Sequence, residues 1–414
     1  MNFFAYRDGT LRAEEVPLPQ IAAAHGTPCY IYSRAALEDA FAAYQRALAG
    51  RDALVCYAVK ANSNLAILNL FARLGAGFDV LSGGELARVI AAGGDPAKVI
   101  FSGVGKSEAD LRQAIEAGVH CLNVESPAEL DRVNAVAGML GKRAPISLRV
   151  NPDVDPKTHP YISTGLRSNK FGVAYDEALP LYRRARDLPN LDITGIACHI
   201  GSQLLDPAPA AEAAAKVALL ADALAAEGIS LKHMDLGGGK GIRYRDEDAP
   251  DAAAYLAPLL AALDGRREKL VFEPGRSLVG NAGVLLTRIE YLKHGEEKNF
   301  AIVDAAMNDL LRPALYDAWH DIRPVRQRAV DEDIYEVVGP VCESGDFLGH
   351  ARSLAVEAGD LLAIMSAGAY GMVMSSNYNT RPRAAEVVVD GNQVRLVRER
   401  ERIEQLFAGE RVLP

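Results

Sequence analysis

The 414 residues of this chain are more than a single hydrophobic core usually serves, so the length predicts two domains. Hydrophobic residues (49%) and charged residues (24%) stand in globular proportions, and a net charge of −9 without a basic block argues against a general nucleic-acid-binding protein. No stretch approaches about 18 uninterrupted apolar residues, and no basic segment followed by an apolar one opens the chain, so the sequence predicts neither a membrane-spanning helix nor a signal peptide.

The cysteines indicate a reducing compartment and hence a cytoplasmic protein. They are odd in number and include no CxxC pair, so they predict neither a metal site nor a disulfide framework. The five are Cys29, Cys56, Cys121, Cys198 and Cys342.

The first 30 residues contain short extended pieces that include Pro17, Pro19 and Pro28. Such a segment can cap a following domain or contribute a strand to another sheet. Ser33 has a side chain suited to a helix N-cap, and the residues after it predict an amphipathic helix from Arg34 to Leu48.

Between about residue 53 and residue 275, apolar runs alternate with segments of helical periodicity. Eight strands that alternate with helices predict a (β/α)₈ TIM barrel. The alternative is an open doubly wound sheet, which favours a glycine fingerprint after its first strand, whereas the first strand here is followed by Val59-Lys60-Ala61-Asn62. The predicted strands are Ala53–Ala58, Gly77–Val80, Val99–Phe101, Val119–Leu122, Ile146–Val150, Ile193–His199, Leu231–Leu236 and Lys269–Phe272. The clearest helices are Glu85–Ala92, Glu108–Ala117, Pro127–Ala137 and Ala210–Glu227.

Beyond residue 280, β-branched runs replace the alanine-rich helices and predict a second, mainly β domain, a barrel or a sandwich. Asp390-Gly391-Asn392 separates the last two runs and predicts a tight hairpin turn. The domain prediction is therefore an N-terminal segment at 1–30 that associates with the β domain, a barrel at 31–279 and the β domain at 280–414. The predicted strands of that domain are Gly283–Tyr291, Phe300–Val303, Ile334–Val338, Leu361–Met365, Glu386–Val389 and Gln393–Val397.

Polar residues gather at the carboxyl ends of the predicted barrel strands, which is where (β/α)₈ barrels place their chemistry. Chance would scatter them over both ends of the barrel, so we expect these residues to meet at one mouth. They are Lys60, Asp79, Arg149, Asn151, His199, Gly201, Ser202, Gln203, Gly237 to Gly239, and Glu273 to Arg276.

The side chains at this predicted mouth have complementary chemistries. A lysine where a core strand meets a loop is suited to Schiff-base formation, because desolvation lowers the pKa of its amine. The glycines at 237–239 let the backbone approach a phosphate closely, and Arg276 can add a charge-assisted hydrogen bond. Glu273 can hold a heteroaromatic nitrogen, and His199 can stack on a flat ring. This set predicts a pyridoxal 5'-phosphate site.

Each of these residues also has an ordinary structural interpretation. Lys60 can be a surface lysine at the end of a strand, and the three glycines can be a flexible turn. His199 can be a core histidine whose hydrogen bonds are satisfied. Glu273 can form a buried salt bridge with Arg149 or Arg276.

Several motifs resemble those of the fold-type III pyridoxal-phosphate-dependent decarboxylases, which pair an alanine-racemase-like barrel with a C-terminal β domain. These motifs are YAVKAN around Lys60, HIGSQ around His199, GGG at 237–239 and EPGR at 273–276. Within that group the chain most resembles the diaminopimelate decarboxylase family. The narrower resemblance comes from RPALY at 312–316 followed by His320, GPVCES at 339–344, GAY at 368–370 and NKFG at 169–172.

The resemblance implies a carboxy-lyase that uses pyridoxal 5'-phosphate to convert meso-2,6-diaminopimelate to L-lysine and CO₂, the last step of bacterial lysine synthesis. It implies that Lys60, His199 and Cys342 are catalytic, with Lys60 bound to the cofactor and Cys342 as proton donor. It also implies a homodimer with shared active sites, in which Cys342 and Glu343 come from the neighbouring subunit. The implied cofactor residues are Lys60, Asp79, His199, Ser202, Gly237, Gly238, Gly239, Glu273, Gly275, Arg276 and Tyr370, and the implied substrate residues are Arg276, Arg312, Tyr316, Glu343 and Tyr370.

The distal end of the substrate distinguishes this function from that of related enzymes. The planar fork of Arg312 suits a carboxylate, and Glu343 suits an ammonium group. A decarboxylase of ornithine or of lysine has no distal carboxylate to bind, and a site with an unpaired buried guanidinium would reject such substrates. A non-catalytic homologue and a Schiff-base aldolase without cofactor are two more distant possibilities. Apart from the resemblance, Arg312 can be a surface residue and Cys342 a small buried hydrophobe.

Overall fold

The computed structural model describes residues 3–155 and 170–414. The strands, in chain order, are β1 (Phe4–Arg7), β2 (Thr10–Ala13), β3 (Val16–Pro17), β4 (Cys29–Ser33), β5 (Ala53–Ala58), β6 (Gly77–Val80), β7 (Val99–Phe101), β8 (Cys121–Val124), β9 (Ala144–Asn151), β10 (Val173–Ala174), β11 (Leu191–Ala197), β12 (His233–Asp235), β13 (Lys269–Phe272), β14 (Gly283–Lys293), β15 (Asn299–Val303), β16 (Ile322–Pro324), β17 (Asp333–Val338), β18 (Phe347–Leu354), β19 (Leu361–Ile364), β20 (Ala385–Asp390) and β21 (Gln393–Arg398). The helices are α1 (Leu18–His25), α2 (Arg34–Ala47), α3 (Leu65–Arg73), α4 (Gly83–Ala91), α5 (Glu108–Ala117), α6 (Pro127–Met139), α7 (Tyr175–Arg186), α8 (Ala208–Ala226), α9 (Ala252–Ala262), α10 (Arg276–Val279), α11 (Arg312–Tyr316) and α12 (Ile403–Leu406).

The chain divides into two units. The barrel unit comprises Ala40–Ile242 and Asp248–Ser277, and the β unit comprises Met1–Asp39, Arg243–Glu247 and Leu278–Pro414. The domain boundaries that the sequence predicts, at residues 30 and 280, stay a prediction.

Eight parallel strands close into a barrel. β5, β6, β7, β8, β9, β11, β12 and β13 follow one another around the sheet, and β13 pairs with β5 to complete the ring. The strands are mostly buried, as parallel strands covered by helices are. The predicted (β/α)₈ barrel is therefore confirmed, and the open doubly wound sheet is excluded because it would leave two unpaired edges.

Some predicted strand bounds differ from those in the structure, for local reasons. The strand predicted from Val119 begins at Cys121, because the amide of Val119 still closes helix α5 by donating to the carbonyl oxygen of Ala114 at 3.2 Å. β11 ends at Ala197, so His199 lies in the loop after the strand and not within it.

Helix ends follow the capping residues in the sequence. Ser33 accepts a hydrogen bond from the amide of Ala36 at 3.1 Å, which confirms it as the N-cap of α2. Ser107 and Asp110 form a reciprocal capping box at the start of α5. Gly118 ends the same helix in the left-handed region, with φ of 71°.

The β unit is built on a second sheet, with strands in the order β18-β17-β15-β14-β4-β20-β21, and β19 pairs with both β14 and β16. Its core contains side chains from distant parts of the chain, such as Leu11, Ile31, Val284 and Val387. A small antiparallel sheet of β1, β2 and β3 supplies further core residues. The predicted mainly β region is confirmed.

Three strands of this sheet, β4, β16 and β18, escape sequence-based prediction. β4 lies between α1 and α2, and it pairs with β14 and β20 across more than 250 residues of chain. β18 contains Gly349, His350 and Arg352 and lacks an apolar alternation, so only its pairing with β17 identifies it as a strand. The predicted hairpin of β20 and β21 is confirmed: Asp390 pairs with Gln393, and Gly391 in the turn has φ of 60°.

Among the residues that the structure describes, no helix combines the length and the apolar character that a bilayer crossing requires. All five cysteines are unpaired, and Cys342 alone among them is exposed.

Candidate functional site

Lys60 lies at the mouth of the barrel, in the 3₁₀ turn Val59–Ala61 that directly follows β5. Its Nζ donates to Asp79 Oδ2 at 2.9 Å, and Asp79 lies on the neighbouring strand β6. The Asp79 side chain is fully buried, while 34% of the Lys60 side chain remains accessible. The ion pair therefore directs an accessible amine into the mouth, so Lys60 is not an ordinary surface lysine.

The glycines at 237–239 form a turn that tolerates no side chain. A Cβ atom added to Gly238 would lie 2.2 Å from the carbonyl oxygen of Glu273, and one added to Gly239 would lie 2.8 Å from that of Gly201. Gly237 and Gly239 also have φ of 64° and 107°. These contacts require glycine, so the turn is a close-packed element and not merely flexible chain.

Two of the three glycine amides already have acceptors. The Gly237 amide donates to Asp235 Oδ1 at 2.9 Å, and the Gly238 amide donates to His199 Nδ1 at 3.2 Å. Within the described residues, the Gly239 amide has no hydrogen-bond acceptor. That amide is therefore the one best placed to donate to a phosphate oxygen.

His199 is a neutral imidazole in this arrangement, because its Nδ1 accepts a hydrogen bond and so carries no proton. Burial lowers the pKa of His199 well below its ordinary value, and the positive charges of Lys60 and Arg149 lower it further. A neutral ring held at the mouth by the glycine turn is suited to packing on a flat cofactor.

Glu273 is almost entirely buried, and its Oε1 has no hydrogen-bond partner among the described residues. Burial raises the pKa of Glu273 well above its ordinary value, and the nearby carboxylates of Asp235 and Asp79 raise it further, while Lys60 opposes the shift. The salt bridge with Arg149 that the sequence left open does not form, because Arg149 pairs with Glu125 at 3.0 Å.

Arg276 and Ser202 meet at the same mouth. The Nε and Nη2 atoms of Arg276 donate to Ser202 Oγ at 3.3 and 3.2 Å, and Arg276 is 6% exposed. A Cβ atom added to Gly275 would lie 3.0 Å from the Cβ of Ala58, so this glycine lets the loop after β13 pack on the turn that carries Lys60.

In the β unit, Arg312 is buried and held by two rings. Its Nη1 contacts His320 Nε2 at 3.0 Å, and its guanidinium carbon lies 4.8 Å from the centre of the Tyr244 ring. His320 Nδ1 contacts the carbonyl oxygen of Met365 at 2.9 Å, so Nδ1 carries the proton and Nε2 accepts from Arg312. The interpretation of Arg312 as a surface residue is wrong.

The other predicted residues of the β unit lie on three segments. Tyr316 is the last residue of α11. Tyr370 has φ of 55°, an uncommon backbone conformation for a tyrosine. Cys342 and Glu343 are exposed in the loop after β17, so Cys342 is not a buried hydrophobe. The predicted motif that begins at Asn169 lies partly outside the described residues, since Asn169 itself is not described.

The structure also reveals polar residues inside the barrel that sequence reasoning overlooked as site residues. Asp235 and Asn123 are fully buried and hydrogen-bonded to one another at 3.1 Å. Glu125 accepts hydrogen bonds from the amides of Gly103 and Gly172, which joins three loops at the mouth. A signal was present, because Asp235 and Asn123 interrupt apolar strand sequences.

The barrel unit fits pyridoxal 5'-phosphate. It offers an accessible lysine amine, a glycine turn with a donor at Gly239, the buried cation Arg276, a neutral ring at His199 and a buried carboxyl oxygen on Glu273 that has no partner of its own among the described residues. The lysine amine suits the aldehyde of this cofactor, and the Gly239 amide and Arg276 suit its phosphate. The His199 ring suits the face of the pyridine ring, and Glu273 suits the pyridine nitrogen.

Comparison with known proteins gives consistent matches over the whole chain. The model of a family described as "Pyridoxal-dependent decarboxylase, pyridoxal binding domain" matches residues 34–280. A diaminopimelate decarboxylase from Pseudomonas aeruginosa is 61% identical over 414 residues, covering 100% of both chains.

Solved structures agree with this match. The diaminopimelate decarboxylase from Helicobacter pylori, complexed with L-lysine, is 44% identical with a TM-score of 0.92, covering 94% of this chain and 98% of the other. The diaminopimelate decarboxylase from M. jannaschii, also with L-lysine, is 37% identical with a TM-score of 0.95, covering 100% of this chain and 98% of the other.

Proposed function

Because this chain belongs to the diaminopimelate decarboxylase family of pyridoxal-dependent decarboxylases, we propose that it converts meso-2,6-diaminopimelate to L-lysine and CO₂ with pyridoxal 5'-phosphate. This reaction is the last step of bacterial lysine synthesis. The observation that carries the proposal is the barrel mouth itself, where the Lys60 amine, the glycine turn and the carboxyl group of Glu273 meet.

Bound pyridoxal phosphate supplies an aldehyde that captures amines and a conjugated ring that accepts the electrons released when CO₂ leaves. In the proposal, Lys60 holds the cofactor covalently and Asp79 orients its amine. Glu273 holds the pyridine nitrogen, and His199 packs against the ring face.

The phosphate end of the cofactor is assigned to the glycine turn, with Gly237 and Gly238 shaping the backbone and Gly239 donating its amide. Ser202, Gly275, Arg276 and Tyr370 complete the proposed cofactor site. The hydrogen bonds from Arg276 to Ser202 support this assignment, because they gather a cation and a hydroxyl at one place.

The substrate assignment rests on the β unit. Arg312 binds the distal carboxylate in the proposal, since the planar fork of a buried guanidinium oriented by His320 suits a two-point contact. Glu343 binds the distal ammonium, and Arg276, Tyr316 and Tyr370 complete the substrate contacts.

We further propose a homodimer with two shared active sites, in which Cys342 of one subunit protonates the substrate carbon in the other. The exposure of both Cys342 and Glu343 supports this arrangement, because a proton donor and a substrate ligand need to be enclosed during the reaction. The unpaired cysteines support a cytoplasmic location.

A decarboxylase of ornithine, arginine or a carboxy-polyamine is the nearest alternative, and one assay separates these functions. Purified protein with pyridoxal phosphate is given each substrate in turn, and CO₂ release is measured. We expect CO₂ release from meso-diaminopimelate to be far faster than release from ornithine, lysine, arginine or a carboxy-polyamine. Faster release from ornithine or lysine would overturn the proposal.

Replacement of Lys60 tests the cofactor assignment. We expect Lys60→Ala to abolish both turnover and the near-visible absorbance of the bound cofactor, because the covalent attachment is lost. The matched control is Lys232→Ala, which removes a lysine whose side chain is 68% exposed, and both properties should survive it. A Lys60→Ala variant that keeps both colour and turnover would refute the role.

A further inference from the structure

Two carboxyl groups share the interior of the barrel. Asp235 ends β12 and Glu273 follows β13, and these strands are paired. The two residues, called here the carboxyl pair, are 1% and 9% exposed, and the amide of Glu273 donates to the carbonyl oxygen of Gly237 at 2.7 Å, which holds the two strand ends side by side. Burial and the neighbouring negative charges raise the pKa of both carboxyl groups, which favours one proton held between them.

The surrounding hydrogen bonds decide which member carries the charge. Asp235 Oδ1 accepts from the Gly237 amide at 2.9 Å, and Oδ2 accepts from Asn123 Nδ2 at 3.1 Å. Asn123 also contacts two hydroxyls, because its Oδ1 accepts from Ser147 and its Nδ2 donates to Ser102 at 3.1 Å. The two donors, the Gly237 amide and Asn123 Nδ2, favour the anion at Asp235. The shared proton therefore belongs to the other member, Glu273.

Other groups face the carboxyl pair. Asp79 adds a negative charge that favours the proton on the pair, while the ammonium of Lys60 favours its release. Burial and the carboxylates raise the pKa of the Cys56 thiol well above its ordinary value and that of Cys198 to about 12, so neither thiol competes for the negative charge.

We propose that Asp235 is a positioning residue for Glu273. It shares one proton with that carboxyl group and so sets the protonation state and orientation of the oxygen that meets the pyridine nitrogen of the cofactor. Because Asp235 also fixes the Gly237 amide, one buried side chain aligns the site for the ring nitrogen with the turn for the phosphate. The identity of the cofactor rests on the proposed function, whereas the shared proton is a property of the protein alone.

The shared proton is tested on the full-length protein without cofactor. Infrared spectroscopy records the carbonyl stretch of a protonated carboxyl group, and Glu273→Gln identifies the part of this band that belongs to Glu273. We expect the band to persist at pH 7 in the parent protein. Asp235→Asn removes the neighbouring charge and keeps the shape of the side chain. In this variant the band of Glu273 should vanish at a pH at least about one unit lower than in the parent protein.

The matched control is Asp192→Asn, which removes a carboxylate from the same barrel at a site where the side chain is 45% exposed. This change should leave the band of Glu273 where it is. If Asp235→Asn also leaves the band unmoved, burial alone protonates Glu273, and the positioning role of Asp235 is wrong.

Glu273→Gln keeps the test decisive if Asp235→Asn fails to fold. An amide donates to Asp235 as the shared proton does, so we expect the same melting temperature as the parent at pH 7. A fall of several degrees would overturn the shared proton.

The loaded enzyme provides an independent measurement. With pyridoxal phosphate and meso-diaminopimelate, Asp235→Asn should lower kcat at least about tenfold, because the proton at the ring nitrogen is less well supported, and leave KM within about threefold. A raised KM with unchanged kcat would contradict the positioning role. Absence of turnover in the parent protein would instead overturn the proposed function and leave the infrared result standing.

Discussion

At the scale of single residues, the guanidinium of Arg312 is oriented by two neighbouring rings. The residue is 7% exposed, and His320 and Tyr244 fix its orientation. The neutral His320 ring contributes an acceptor and no charge, since its Nδ1 donates its proton to the carbonyl oxygen of Met365. These two rings therefore orient the planar guanidinium, whose geometry suits a carboxylate.

Replacing this guanidinium by an ammonium tests the distal-carboxylate role. Arg312→Lys retains the charge but loses the planar fork, so we expect KM for meso-diaminopimelate to rise about 10- to 100-fold, the equivalent of one or two charge-assisted hydrogen bonds. The absorbance of the bound cofactor should not change. Arg323→Lys, at a side chain that is 38% exposed, is the control. Equal losses of cofactor and substrate binding would argue against this role.

At the scale of elements, the loop from Gly339 to Asp346 is held by its last residue. The Oδ2 atom of Asp346 accepts from the amide of Val341 at 2.7 Å, and its Oδ1 accepts from the amide of Met307 at 2.6 Å. One buried carboxylate thus closes the loop on itself and fastens it to a neighbouring segment. Cys342 and Glu343 both lie in this loop, so its geometry determines where they point.

Removing the Asp346 carboxylate should loosen this loop. Asp346→Ala leaves two amides without acceptors, and we expect kcat to fall about tenfold or more, with stability reduced by about 1–3 kcal/mol. Asp346→Asn retains one good acceptor, so its kcat and its stability should lie between those of the parent protein and those of Asp346→Ala. Steady-state kinetics and thermal melting measure both effects. Asp333→Ala removes an exposed carboxylate from β17 and should alter neither. Unchanged kcat in Asp346→Ala would show that the loop holds its geometry without this contact.

At the scale of the whole molecule, two neighbouring histidines at the end of the barrel opposite its mouth make its stability sensitive to acid. His233 begins β12 and His120 directly precedes β8, and their rings lie 5.0 Å apart. The Nε2 atoms of both are buried without a hydrogen-bond partner among the described residues. Burial, together with the positive charges of His120, Lys232 and Lys269, lowers the pKa of His233 to about 3.

This depressed pKa makes barrel stability depend on pH. The unfolded chain binds a proton at His233 below about pH 6.5 while the folded chain does not, so stability is complete above that pH and falls as the pH decreases towards 3, by up to ~5 kcal/mol. We expect His233→Leu to flatten the fall in melting temperature between pH 7 and pH 4. His294→Asn, at an exposed histidine, should keep the slope of the parent protein. The same slope in His233→Leu would assign the acid sensitivity to other groups.

Local sequence patterns identify most of the strands and helices and the chemical kinds of residue at the candidate site. Apolar runs of three to seven residues separated by helical periodicity are local patterns, so they identify the alternation of strands and helices and place Lys60 and Glu273 after strands. Parallel strands of a barrel bring their carboxyl ends together, which is why the candidate residues of the barrel could be gathered before the structure was known.

The partners of these residues are known only from the folded chain. The pairing of Arg149 with Glu125, the closeness of Asp235 to Glu273 and the orientation of Arg312 by His320 depend on distances of a few ångströms between residues far apart in the chain. β4 joined the second sheet for the same reason, because strand pairing is a property of two segments and not of one. Protonation states follow from burial and from neighbouring charges, and both are created when the chain folds.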